Sequence, residues 1–194
     1  MNPRVFLLSP ANCRGRRAQQ VLSPNAAFPV AARLRSEGVP IGELFAHMSG
    51  LYFRGKITYA RRFGRAFVIT PDRGLVSAET TITSQVLSRF ADADIDAGNP
   101  AYRRPLEETA RALDRSGGGD AQVVLLGSIA SEKYVQILGE IFGSRLLFPA
   151  TFVGRGDMSR GGLLLRAAAA SQELEYIPVL GAVRRGSRPP RLER

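Results

Sequence analysis

The stretch Val5-Phe6-Leu7-Leu8-Ser9-Pro10 begins with a short apolar run and ends at a serine–proline pair. A continuous apolar run that stops at residues favouring a turn predicts a buried strand followed by a loop. Similar apolar runs recur at 66–70, 122–126, 145–148 and 175–179. Segments with apolar residues at helical spacing alternate with these runs, for example 29–36, 51–63 and 131–142. The alternation predicts an α/β fold with a mainly parallel sheet of four to five strands and helices on both faces.

The length of 194 residues fits one domain, which we expect to span 1–183. Residues 184–194 hold five arginines and one glutamate with a Pro189-Pro190 pair, and are predicted to be a mobile basic tail. Such a tail either solubilises the chain or contacts nucleic acid non-specifically.

The charge balance is strongly basic, with 27 Lys and Arg against 17 Asp and Glu and a net charge of +10. All of the basic residues except Lys56 and Lys133 are arginines. A GC-rich genome would explain the choice of arginine over lysine, but the net charge itself attracts polyanions. The guanidinium group also binds phosphate and carboxylate through a planar fork.

The cellular compartment and the need for a metal or cofactor are predicted from features that the sequence does not contain. No apolar run is long enough to cross a bilayer and no secretory signal is visible at the start, so a cytoplasmic location without a membrane partner is expected. With Cys13 the only cysteine and His47 the only histidine, a zinc site or a Ser-His-Asp triad is disfavoured, and no metal or cofactor is expected. The arginines around Cys13 are expected to lower the pKa of its thiol.

Four loops follow predicted strands, at 9–17, 70–74, 127–128 and 154–162. Ligands of open α/β sheets bind beyond the carboxyl ends of the strands, where glycines allow close approach and helix N-termini favour anions. These loops therefore predict a pocket for a phosphate, a carboxylate or a nucleic-acid backbone, with Asp72 or Asp157 as a catalytic general base. The alternative is that they are ordinary turns. The expected ligand-binding residues in them are Ser9, Asn12, Arg14, Arg16, Arg17, Arg73, Gly127, Ser128, Arg155, Gly156, Ser159 and Arg160.

A second ligand-binding candidate lies on the predicted helix 51–63. Tyr52, Arg54 and Lys56 interleave an aromatic ring with cations, a pattern that can stack bases and hold phosphates. The same residues could equally be half core and half surface of an ordinary helix.

Three segments resemble a known family. The run Leu8-Ser9-Pro10-Ala11-Asn12 resembles the Ser-Pro-Ala-Lys opening of the YaaA-type peroxide stress proteins, with Asn12 where those proteins carry lysine. The segments at 50–56 and 69–76 are similar to the tyrosine-and-glycine segment and the Gly-Leu turn of that family, and they occur in the same order. The resemblance extends to uncharacterised bacterial relatives with a fold similar to that of uracil-DNA glycosylases.

That resemblance implies a three-layer α/β/α sandwich and association with nucleic acid or nucleotides, without implying a reaction. No histidine follows His47, so the late histidine of the glycosylases is missing. The first prediction is therefore a cytoplasmic DNA- or nucleotide-associated protein with an arginine-lined anion-binding site at the strand carboxyl ends. The alternative is a hydrolase or transferase acting on a small nucleoside or sugar-phosphate metabolite. The sequence makes no prediction of the oligomeric state.

Overall fold

A six-stranded sheet forms the centre of the computed structural model, which describes residues 4–117, 119–130, 132–187 and 189–190. In spatial order its strands are β4 (Gly74–Ser77), β3 (Gly64–Thr70), β1 (Arg4–Leu8), β6 (Val123–Leu126), β7 (Leu146–Pro149) and β8 (Tyr176–Pro178). A second, small sheet pairs β2 (Val39–Pro40) with β5 (Thr81–Ile82). The helices of the described residues are α1 (Arg16–Leu22), α2 (Pro29–Ser36), α3 (Ile41–Ser49), α4 (Leu51–Phe63), α5 (Ser84–Asp92), α6 (Pro100–Ser116), α7 (Glu132–Phe142) and α8 (Asp157–Ala169).

Strand β1 lies between two parallel neighbours. Leu8 is opposite Val68 of β3 on one side and opposite Leu126 of β6 on the other. The chain first builds the β3 side and then returns to add β6, so the order of the strands reverses between β1 and β6. Such a switch point leaves a crevice at the carboxyl ends of the two strands, where ligands of open α/β sheets bind.

The α/β class and the mainly parallel sheet are confirmed, but the sheet has six strands where four to five were predicted. The additional strand is β4, which pairs antiparallel with β3 after a tight turn in which Thr70 Oγ1 donates to the carbonyl of Gly74. Strand β8 is also antiparallel, at the opposite edge. Two thirds of the predicted loop 154–162 is helical, because α8 already begins at Asp157.

The core covers both faces of the central strand. Phe6, Leu7 and Leu8 are each fully buried, and successive side chains of a strand point to opposite faces. On one face the Phe6 ring meets the ring of Tyr59 from α4 edge-on, with the centroids 5.7 Å apart. Among the described residues no helix combines the length and the apolar character needed to cross a bilayer.

Helices α4 and α8 touch through their backbones at two glycines. A Cβ atom on Gly55 would lie 2.7 Å from the carbonyl oxygen of Gly161, and one on Gly161 would lie 2.8 Å from that of Leu51. Larger residues would force the two helices apart. This crossing sets the first turn of α8 against the beginning of α4, beside Tyr52 and Lys56.

Candidate functional site

Lys56 is buried at the carboxyl end of β1, at the switch point of the sheet. Its side chain is 1% exposed, although lysine is rarely buried to that extent. Its Nζ donates to the carbonyl oxygen of Ser9 at 2.7 Å and lies 2.9 Å from the Ser9 hydroxyl. The same nitrogen stands 4.4 Å from the centroid of the Tyr52 ring. It also stands 4.8 Å from the centroid of the Phe53 ring, so the amine is held by one residue of the loop after β1 and two rings of its own helix.

Burial changes the protonation of this amine. It lowers the pKa of Lys56 from 10.5 to about 7, because the charged form loses its hydration. The carboxylate of Asp157 works against this shift and the guanidinium of Arg160 adds to it. Close to neutral pH, Lys56 thus exists as a mixture of ammonium and free amine.

Gly127 brings two hydroxyl groups together next to Lys56. A Cβ atom at this position would lie 3.0 Å from Ser9 Oγ and 3.1 Å from the hydroxyl of Tyr134, so only glycine fits. Tyr134 reaches back from α7, and its hydroxyl donates to the carbonyl of Ser128 at 2.8 Å. Burial raises the pKa of Tyr134, while the neighbouring Ser9 hydroxyl lowers it.

The hydroxyl of Tyr52 is buried without a hydrogen-bond partner among the described atoms. Burial raises its pKa, Arg160 lowers it, and Asp157 raises it further. These influences place the hydroxyl in the same electrostatic environment as the Lys56 amine. A buried polar group without a partner is uncommon in native proteins and marks a position where a ligand could bond.

The first turn of α8 presents two guanidinium groups. The Arg160 side chain is 13% exposed, and its Nε and Nη2 donate to the carbonyl of Phe152 at 3.2 and 3.1 Å. Asp157 faces it at 3.7 Å, but the Asp157 side chain is 71% exposed, so the ion pair is loose. Arg155 Nη1 lies 3.3 Å from Ser159 Oγ on the same turn.

We refer to this assembly as the Ser9–Lys56 crevice. Its members come from the ends of β1 and β6 and from α4, α7 and α8: Ser9, Tyr52, Lys56, Gly127, Ser128, Tyr134, Asp157 and Arg160. All of these except Tyr134 were candidates from the sequence. Gly156, Ser159 and Arg155, also candidates, border the crevice at the start of α8.

The arginines of the loop after β1 are engaged elsewhere. Arg14 donates to the carbonyls of Ala91 and Ala93 at 2.5 and 3.1 Å, at the end of α5, while its own backbone N–H bonds to the Asn12 side chain. Arg17 lies 3.5 Å from the carbonyl of His47. Arg16 of the same loop and Arg54 of α4 have exposed side chains, and Arg73 pairs with Asp72 on the β3–β4 turn. The guanidinium lining predicted for the site therefore reduces to Arg155 and Arg160 on the α8 side, which also bond backbone carbonyls, those of Thr151 and Phe152.

Asp72, one of the two predicted general bases, lies in an ion-pair cluster on the β3–β4 turn. Its two carboxylate oxygens face Arg73 at 3.5 Å and Arg89 at 3.4 Å. Neither contact involves a residue of the Ser9–Lys56 crevice. Of the two predicted bases, Asp157 is the one that the fold places beside Lys56.

The expectation for Cys13 is wrong. Burial raises the pKa of its thiol to about 12 instead of lowering it, because the side chain is 7% exposed and the thiolate would lose its hydration. Neighbouring Arg14 does not offset this, since its guanidinium is turned to the carbonyls at the end of α5.

Tyr134 is the crevice residue that the sequence did not identify. Its spacing with Leu138 places it on the apolar face of the helix, and this pattern is typical of a core residue. It is largely buried, yet its hydroxyl returns to Ser9 and Ser128. The one local clue is its position, six residues after Ser128, near the start of the helix that follows β6. The sequence also predicts Ser131 as the N-cap of that helix, because serine is a favoured capping residue, but this position lies outside the described residues.

Comparison with known proteins returned no matching family model, curated protein or solved structure. Within the described ranges no three His, Cys, Asp or Glu side chains are grouped as a metal ion would require. The assignment of a function therefore depends on the crevice itself.

Proposed function

We propose that this protein binds a nucleotide or a nucleic acid, with an anionic group of the ligand at the first turn of α8 and the rest of the ligand in the Ser9–Lys56 crevice. The observation that carries this proposal is the part-buried guanidinium of Arg160, which stands with Arg155 at the start of α8, beside the buried amine of Lys56. The Phe152 carbonyl is neutral and Asp157 is held only loosely, so a phosphate would supply the charge pairing that Arg160 lacks.

The charge around α8 supports an anion. Arg155 and Arg160 flank the turn whose backbone N–H groups point away from the helix, and the positive end of the helix dipole lies there. Asp157 is the carboxylate on this turn, and with its side chain 71% exposed it can turn outward when an anion arrives.

The crevice also offers a hydrogen-bonding group for the uncharged part of a nucleotide, the Tyr52 hydroxyl. The rings of Tyr52 and Phe152 meet edge-on with centroids 6.5 Å apart and are both buried, so they form an apolar wall behind this hydroxyl. We also propose the three-layer α/β/α arrangement and the cytoplasmic location expected from the sequence. Burial of both faces of β1 supports the former.

The test is a binding experiment with two charge-matched variants. Nucleoside monophosphates and a 12-nucleotide single-stranded DNA are titrated at 50 and 200 mM salt into the wild type, Arg160→Gln and Arg111→Gln. Arg111 is exposed on α6, the helix packed on the edge strand β4. We expect Arg160→Gln to lose at least tenfold in affinity and Arg111→Gln to match the wild type, with DNA affinity falling as salt rises. Equal losses in both variants, or binding by neither ligand class, would refute the proposal.

A hydrolase or transferase acting on a small nucleoside or sugar-phosphate metabolite is the second candidate. The contact between the Ser9 hydroxyl and the Lys56 amine favours it, because a site that only binds has no need for a buried amine on a serine.

A further inference from the structure

We infer that Ser9 is a nucleophile and Lys56 its general base, and that together they cleave an ester or amide of a carboxylic acid joined to an anionic, nucleotide-type group. The inference rests on the proposed function in one respect: the anionic group of the substrate is held at the first turn of α8. It goes further by assigning a reaction and the two residues that perform it.

The geometry is that of an activated serine. Lys56 Nζ lies 2.9 Å from Ser9 Oγ and, as the ammonium, donates to that oxygen. As the free amine it lies within the distance at which it accepts the hydroxyl proton, which otherwise points to the Leu126 carbonyl at 3.5 Å. The second contact of the amine, 2.7 Å to the Ser9 carbonyl, uses one N–H group and fixes the direction of the nitrogen. Serine–lysine pairs are an established variant of the serine nucleophile.

The surroundings keep the amine available as a base. Lys56 is 1% exposed, and burial favours the neutral form that carries a free electron pair. The groups acting on it are the Ser9 carbonyl and hydroxyl after β1, the rings of Tyr52 and Phe53 on its own helix, and Asp157 and Arg160 of α8. Asp157 favours the ammonium form and Arg160 opposes it, so the two contributions from α8 work in opposite directions.

The reaction balances with water as the second substrate. Ser9 Oγ forms a bond to the carbonyl carbon while its proton passes to Lys56 Nζ. The bond from that carbon to the leaving oxygen or nitrogen then breaks, and the ammonium returns the proton to the leaving atom. Water next attacks the acyl-serine and gives a proton to Lys56. The acid is released as Ser9 Oγ takes that proton back.

The substrate group that Ser9 attacks is expected to be a carbonyl and not a phosphate, because the two differ in charge. A phosphate against Lys56 would stabilise the ammonium form and remove the base. An uncharged carbonyl leaves the amine neutral, with the anionic group kept apart on Arg155 and Arg160. The unpartnered Tyr52 hydroxyl is a donor available to the carbonyl oxygen as negative charge develops on it.

The test uses a fluorophosphonate probe, an uncharged reagent that phosphonylates activated serines, with the modified residue located by peptide mass spectrometry. We expect the wild type to be labelled at Ser9, with a rate that increases with pH as Lys56 loses its proton. Ser9→Ala should not be labelled at that position. Lys56→Arg keeps a cation and hydrogen-bond donors but cannot accept a proton at neutral pH, and should react at least a hundredfold more slowly. Ser144→Ala, at an exposed serine outside the crevice, is the matched control.

Folding is monitored by circular dichroism, and Lys56→Met provides a second variant if Lys56→Arg does not fold. Absence of label on Ser9, or equal labelling rates in the wild type and a folded Lys56 variant, would overturn the inference. The probe carries no anionic group, so its reaction with Ser9 does not require the anion-binding site at α8. The labelling and binding experiments therefore test the two proposals independently. Lost Ser9 labelling with intact nucleotide binding refutes this inference alone, and the converse refutes only the proposed function.

Discussion

The Nζ atom of Lys56 lies 2.9 Å from Oγ of Ser9, a residue 47 positions earlier in the chain. The contact joins helix α4 to the end of the central strand at the point where the strand order reverses. Two close approaches surround it: Ser9 and Tyr134 meet beside Gly127, and α8 packs on α4 at Gly55. A side chain at either glycine would therefore disturb the neighbours of this contact.

The first prediction concerns the crossing of α4 and α8. Gly161→Ala places a Cβ atom 2.8 Å from the Leu51 carbonyl oxygen and must push α8 away from α4. Overpacking of this kind costs about 1–3 kcal/mol, so the melting temperature should fall by roughly 2–12 °C for a chain of this size.

Gly162→Ala is the matched control, because a Cβ atom at that position meets no atom within 4 Å. Alanine is the better helix former, so thermal melting should show an unchanged or slightly higher midpoint. If both substitutions lowered the midpoint equally, close contact between the helices would not be the cause.

The second prediction concerns pH. The folded state lowers the pKa of Lys56 from 10.5 to about 7, so between these values the unfolded chain binds more protons. Stability due to this group must then increase with pH, by roughly 2 kcal/mol from pH 7 to pH 9. Urea denaturation of the wild type and Lys56→Met at both pH values isolates this contribution, since Lys56→Met lacks it. A difference between the two proteins that does not change with pH would contradict the prediction.

Part of this site follows from the sequence and part depends on the tertiary structure. Ser9, Gly127 and Ser128 were predicted because parallel strands end at one edge of the sheet, and this rule needs only the position of each apolar run. The burial of Lys56 could not be predicted in this way, since the side chain is buried by α8, a helix about 100 residues further along the chain. The same holds for Tyr134, whose apolar helix face gives no sign that its hydroxyl reaches Ser9.

The predicted arginine lining contains the opposite error, because it includes residues that the fold holds away from the site. Composition placed guanidinium groups in the loops, but sequence patterns do not reveal nearby carbonyl groups. Arg14 is turned to the end of α5, and its partners, Ala91 and Ala93, lie almost 80 positions away. Strand β4 escaped prediction for a similar reason: its four residues become a strand by pairing with β3.

The third prediction concerns Cys13. With its pKa raised to about 12, the thiol should be almost entirely protonated at pH 8, and burial restricts access to it. Alkylation by iodoacetamide, followed by mass spectrometry, should be at least about a hundredfold slower in the native protein than in urea. Rapid labelling under native conditions would show that the thiol is exposed.

The fourth prediction concerns Gly127. An alanine here places a methyl group 2.9 Å from the Cβ of Ser9 and must separate Ser9 from Tyr134. We expect the melting temperature to fall and fluorophosphonate labelling of Ser9 to slow at least tenfold. Gly139→Ala on α7 is the control, because its added Cβ meets nothing within 4 Å. Wild-type values for Gly127→Ala in both measurements would mean that the packing around Ser9 adapts freely.

The last prediction separates the basic segment 184–194 from the crevice. Parts of this segment contact the body: Arg184 pairs with Glu132, and the Pro190 carbonyl accepts from Arg155 at 3.3 Å. Deletion of the segment removes four of the ten net positive charges. These charges act on a polyanion along its length but not on a single phosphate at α8.

Affinity for single-stranded DNA should therefore fall. The slope of log affinity against log salt concentration should become less steep by roughly 0.7 for each lost phosphate contact. Affinity for a nucleoside monophosphate should stay within about twofold of the wild type, since a single phosphate at the α8 turn makes only local contacts. If the affinity for monophosphates falls in step with that for DNA, the segment contributes to the crevice itself through its contact with Arg155.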